Sequence, residues 1–180
     1  MKQISTILTV MLFITSIQAK TYTIGSGKWS DPCLWSDDQV GSTINAGDVV
    51  IVTGQVTLTS SLLIAGTLQI EKGATLLGAK DITVAKGGIL VNYGSTVVRK
   101  IVNEGSINNS LFLETMTDIE NRSMMENTNT VLAGNNFESV AGKACGKDCR
   151  FYANNNITQC DPAEFDANVG VYCAGEIETK

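Results

Sequence analysis

From residue 47 onward apolar and polar positions alternate in short runs, and glycine breaks the runs at nearly equal intervals. Residues 47–58 read GDVVIVTGQVTL, residues 66–77 GTLQIEKGATLL and residues 87–98 GGILVNYGSTVV. Stacked on their glycines, the units begin at Gly47, Gly66 and Gly87, offset by 19 and then 21 residues, and each has a second glycine seven positions on. The first apolar pairs are then Val49/Ile51, Leu68/Ile70 and Ile89/Val91. The second are Val56/Leu58, Thr75/Leu77 and Thr96/Val98, and the third Leu62/Ile64, Ile82/Val84 and Ile101/Asn103. A spacing of two puts each pair on one face of a short strand. Glycine at the corners permits tightly bent or left-handed backbone.

Three short strands per repeat predict a chain wound as a β-solenoid, because one coil alone cannot bury its apolar pairs and stacked coils can. The fold expected is an all-β, right-handed, three-sided parallel β-solenoid of roughly five coils, with an N-terminal Trp-containing cap and a C-terminal Cys-rich cap. In this frame Ile70 and Val91 are inward neighbours of adjacent coils. An antiparallel sandwich also suits short strands, but gives no reason for corners at a constant interval. A leucine-rich horseshoe needs a helical segment that the first three coils lack. After residue 100 the period blurs, and the last coils are expected to be irregular. Asn103, Asn108, Asn109, Asn121, Asn127, Asn129, Asn135 and Asn136 stand there. They read first as turn residues tolerant of left-handed backbone, with hydrogen-bonded ladders along a parallel stack as the alternative.

The domain organisation predicted is a signal peptide over 1–19, an N-terminal cap over 20–46, the solenoid over 47–142 and a Cys-rich cap over 143–180. Lys2, the apolar run Ile4–Ile14 and a site ending at Ala19 have the order of a secretory signal. The apolar run falls short of the roughly 20 residues that span a bilayer. The expected location is therefore secreted or at the cell surface, without membrane insertion after cleavage.

Composition narrows the chemistry. The formal net charge is −5 and no Lys/Arg cluster is present, a poor basis for nucleic-acid binding. The chain contains no His, which removes Ser-His-Asp and Cys-His catalysis and most catalytic zinc sites. The acids of the repeat, Asp48, Glu71, Asp81 and Glu104, fall at different phases of the coil, while Asp37-Asp38 and Asp161…Asp166 are loop acids. No paired-carboxylate or calcium site of the kind used by polysaccharide-cleaving β-helices is expected from them. The reading is non-catalytic, with no metal and no cofactor.

The stretch TYTIGSGKWSDPCLWSDDQVGSTINAGDVVIV precedes the repeat. Its G-x-W-x-D…W spacing, followed by A-G-D-x-V-x-I, resembles the opening of short secreted β-solenoid modules of Bacteroidetes-type bacterial surface proteins. The resemblance covers about residues 22–100. It implies that this segment lies across the first coil and that Asp48 marks the turn into the first strand; it says little about activity. No sorting domain or anchoring tail of the larger members follows the repeat. Trp29 and Trp35 are expected to form an aromatic lid over the open end of the core. The alternative is a glycan- or partner-contact platform made with Tyr93, the exposed corner aromatic.

Cys145, Cys149, Cys160 and Cys173 lie close together near the C terminus. With a secretory signal they predict disulfides rather than zinc, with connectivity open, and Cys33 is left over, buried or free. Sequons stand at Asn108, Asn121 and Asn156. Two function classes remain. One is a secreted structural or adhesive element that binds another surface or matrix protein. The other is a carbohydrate-binding module, with an extracellular filament subunit as a further alternative. A monomer is favoured over an end-to-end polymer.

Overall fold

The computed structural model describes residues 18–37, 39–139, 143–145, 150–159, 170–173 and 177–179, with side chains for 18–37, 39–139 and 150–158. All strand pairs in it are parallel, and they stack into a β-solenoid of about six turns. The first face carries Thr21–Ile24, Val49–Val52, Thr67–Ile70, Ile89–Asn92, Ser106–Asn109, Met124–Asn127 and Lys143–Cys145. The second begins with Gly27–Lys28 and Gln55–Thr57 and ends with Phe112–Thr115, Thr130–Ala133, Arg150–Ala153 and Gly170–Cys173. The third carries Thr43–Ile44, Leu62–Ile64, Ile119–Asn121, Phe137–Ser139, Ile157–Gln159 and Ile177–Thr179. Two long strands, Thr75–Val84 and Ser95–Asn103, run through the corner between the second and third faces and join them.

Each face sends a leading column of side chains into the core. On the first it is Tyr22, Val50, Leu68, Leu90, Ile107 and Met125. On the second it is Val56, Leu76, Thr96, Leu113, Val131 and Phe151. On the third it is Leu62, Ile82, Ile101, Ile119, Phe137 and Ile157. All are buried and, Thr96 apart, apolar side chains stack on apolar ones at the strand spacing of about 4.8 Å, so no coil has a core of its own. Toward the later coils the columns broaden, and Phe137 and Phe151 meet with ring centroids 5.2 Å apart.

Several expectations change. There are about six turns rather than five. Residues 20–46 are not a separate cap, because Thr21–Ile24, Gly27–Lys28 and Thr43–Ile44 are the first coil's strands on all three faces. The parallel pairing also continues past residue 142, through Lys143–Cys145 to Ile177–Thr179. The coils after residue 100 are regular rather than blurred, with unbroken register from Ser106 through Met124 to Lys143.

The phase of the early coils also shifts. Thr67 lies opposite Ile89, so Ile70 faces Asn92, while Val91 pairs with Gln69 and points outward. Val49, Ile51 and Ile89 are outward as well. The cause lies in two kinds of glycine. Gly87 has φ +85° and makes a left-handed turn in a four-residue corner. Gly88 occupies the place of Gly66 one coil earlier, and a Cβ on it would sit 2.0 Å from the Ile64 carbonyl oxygen. Aligning Gly66 with Gly87 matches a close-approach glycine to a turn glycine and slips the strand by one residue, which exchanges its faces.

Candidate interaction surface and interior

The asparagines divide by position rather than acting as turn residues throughout. Asn92, Asn109 and Asn127 stand in register at the end of the first face, and all are buried. The Nδ2 of Asn92 donates to Asn109 Oδ1 at 2.7 Å and to the Phe112 carbonyl at 2.8 Å. Asn109 repeats this with Asn127 Oδ1 at 2.8 Å and the Thr130 carbonyl at 3.0 Å. A second ladder ends the third face. Asn103 donates to Asn121 Oδ1 at 2.7 Å and to the Met124 carbonyl at 2.9 Å, and Asn121 donates to Ser139 Oγ at 3.2 Å. Asn92, Asn103 and Asn109 each use one hydrogen along the stack and the other on a carbonyl at the corner, while Asn127 donates to the Asn129 and Arg150 carbonyls. Asn129, Asn135 and Asn136 do sit at corners, where Asp118 Oδ1 accepts from both Asn135 and Asn136 side chains. Asn108 lies outward on its strand. Asn121, one of the sequon residues, is fully buried.

Trp29 and Trp35 are interior. They are 2% and 8% exposed and meet edge-to-face, with centroids 4.9 Å apart and planes at 86°. Their indole N–H groups are spent on backbone carbonyls, Trp29 on Val40 and Gly41 and Trp35 on Trp29. Buried, perpendicular rings do not make a stacking platform, so the contact role offered for them is withdrawn and Tyr93, at 47% exposure, stands alone. The segment that carries the tryptophans also covers backbone. Ser36 N–H donates to the Thr23 carbonyl at 2.8 Å, Gly25 N–H to the Leu34 carbonyl at 3.1 Å, and Thr23 N–H to Ser36 Oγ at 2.9 Å. The groups of Thr23 and Gly25 engaged here point away from the second coil, and Trp35 bridges Ile24 in antiparallel fashion. Asp48, at the entry to Val49–Val52, is buried and accepts from Lys20 N–H at 3.1 Å.

Cys33 is exposed and free in the 3₁₀ turn Pro32–Leu34, not packed beside the tryptophans. The side chains of Cys145, Cys149, Cys160 and Cys173 lie outside the described residues, as do residues 1–17, Asp38, Asp161 and Asp166. Cys145 falls on a first-face strand opposite Glu126, and Cys173 on a second-face strand opposite Ala153.

The acids of the repeat do not converge: Asp48 and Glu104 share the corner between the third and first faces but lie three coils apart, Glu71 follows the first face, and Asp81 lies within Thr75–Val84. Glu104 gains a neighbour that sequence reasoning missed: Arg122 bridges Glu104 at 3.1 Å and Glu120 at 2.7 Å, and Lys100 pairs with Glu120. Among the described residues no group of three or more His, Cys, Asp or Glu is placed to hold a metal ion.

The most apolar outward surface is on the second face. Leu77, Val97, Glu114, Leu132 and Tyr152 stand in one outward row, each in register with the next. Leu77 is exposed and the others are half-buried. Phe112 lies in the adjacent row and exposed Leu111 at the corner beside it. This row was legible only after the register was known, because each member follows a buried residue in an ordinary alternating strand.

Fold and surface together define a parallel β-solenoid with a polar-laddered core and a second face on which apolar residues flank Glu114. No family model, characterised protein or solved structure matches the chain.

Proposed function

We propose that the protein is a secreted, non-catalytic scaffold of the cell surface or extracellular matrix that docks a partner protein along its second face. The observation that carries this reading is the outward row Leu77, Val97, Glu114, Leu132 and Tyr152, apolar on either side of Glu114 and extended by Phe112 and Leu111. Apolar side chains that flank a single carboxylate, Glu114, on one sheet face suit docking to another protein. The leading Lys2–Ala19 segment, the resemblance to Bacteroidetes-type surface modules and the clustered cysteines fit an extracellular setting. A filament built through the first coil is disfavoured, because residues 34–36 lie against Thr23–Gly25 on its outward side.

The test is residue-specific photo-cross-linking in the native cells. A photoreactive residue at Leu132 is expected to give one discrete adduct in the extracellular fraction. The same residue at Thr158, outward on the third face, is expected to give none. Equal labelling from both positions, or confinement of the protein to the cytoplasm, would overturn the proposal.

A further inference from the structure

An open groove of about 580 Å³ lies on the corner between the third and first faces, away from the apolar row. It exists because the corner 85–88 has four residues while the next two, 104–105 and 122–123, have two, so the turn at Lys86-Gly87 overhangs its neighbours. Its walls carry Lys86, Ile89, Glu104, Ser106, Arg122 and Ser123.

The charges are unequal in their engagement. Arg122 is held by Glu104 and Glu120, and Lys100 is paired with Glu120. Lys86 has no carboxylate within salt-bridge distance among the described residues. One free cation therefore faces a fixed Arg–Glu pair across the groove. Arg122 and Glu104 are both about half exposed, so their outward edges remain open to a ligand. Glu104, Ser106 and Ser123 offer acceptors for hydroxyl groups, and Ile89, 36% exposed, offers an aliphatic patch beside them. The volume is in the range of small-ligand sites, about 300–1,000 Å³.

We propose that this groove binds an acidic sugar residue, its carboxylate on Lys86 and Arg122, its hydroxyls on Glu104 and the serines, and its C–H face on Ile89. An acidic peptide fits less well. A peptide brings no array of hydroxyls for the acceptors on Glu104 and the serines.

The test is calorimetric titration of the full chain with trigalacturonate, with its methyl-esterified neutral counterpart and with a short poly-glutamate peptide. Saturable binding of trigalacturonate is expected, weakened about tenfold or more in both Lys86→Gln and Arg122→Gln, since hydrogen bonds to charged groups contribute about 1.5–3 kcal/mol. The neutral ester is expected to bind at least tenfold more weakly. Circular dichroism and thermal melting establish that both variants remain folded. The assignment is overturned by no saturable binding, by equal binding of the ester, by tighter binding of poly-glutamate, or by folded variants that bind as the parent does. Because Lys86 and Arg122 lie off the second face, failure here leaves the docking surface untouched, and the reverse also holds.

Discussion

Asn92 stands in register with Asn109 one coil further on, and its Nδ2 donates to Asn109 Oδ1 at 2.7 Å in a part of the core with no solvent exposure. In the preceding coils the equivalent inward position is filled by Ile24, Val52 and Ile70. The column therefore changes from aliphatic to amide partway along one continuous stack. An amide there is tolerable only because its partners are in place: a buried, unbonded amide costs about 1–3 kcal/mol on mutational scales. The ladder also fixes register, since a slip of one residue would turn the amides outward and leave the corner carbonyls of Phe112 and Thr130 without donors.

The ladder predicts a sharp contrast between adjacent residues. Asn109→Ala removes two donated bonds and one accepted bond and leaves Asn92, Asn127 and the Thr130 carbonyl short of partners. The expected loss is about 2–4 kcal/mol in urea unfolding, from unsatisfied groups and the space left behind. Asn108→Ala, outward on the same strand, is expected to change stability by no more than about 0.5 kcal/mol. Similar losses for the two would mean that the ladder contributes no more than an ordinary surface residue.

The winding of the chain was legible from alternation and recurring glycines, because every coil meets the same packing requirement at the same place. Phase was not, since glycine serves two physical demands here. Gly87 adopts a left-handed turn, while Gly66 and Gly88 make room for the backbone beneath, and the letters do not distinguish them. A signal for the ladders was present: Asn103 to Asn121 and Asn109 to Asn127 are each 18 residues apart, the length of a coil. Asn tolerates both corners and ladders, so spacing rather than residue type was the discriminating feature. Asn92 was hidden by the same slip that placed Val91 inside. The Lys86–Arg122 groove depends on unequal corner lengths, which appear only when the coils are correctly stacked.

Phase itself can be tested with one pair of substitutions. Ile70 is fully buried, and Ile70→Asp would place an unpaired carboxylate in the core, so loss of cooperative folding is expected. Val91, adjacent in the next coil but outward beside Gln69, should accept Asp with a loss of about 1 kcal/mol or less. Thermal melts of both variants decide it. Unfolding by both variants would restore the glycine-matched register, in which Ile70 and Val91 both face inward.

The first coil presents the hazard common to every parallel stack, a strand with backbone groups facing away from its neighbour. Thr23 has both of these groups engaged by Ser36; Gly25, the next residue past the strand, donates to the Leu34 carbonyl, and the perpendicular Trp29–Trp35 pair holds that segment against the core. Ser36→Pro removes the N–H that reaches the Thr23 carbonyl and the hydroxyl that accepts from Thr23 N–H. Ser36→Ala removes the hydroxyl alone. Exposing the edge should create a template for another chain while most of the core stays intact. The expected result by size-exclusion chromatography with light scattering is a monomeric parent, a nearly monomeric Ser36→Ala and concentration-dependent larger species for Ser36→Pro. Circular dichroism should show the β content retained in all three. A Ser36→Pro variant that stays monomeric at the same concentrations would show that contacts other than those at residues 34–36 protect this edge.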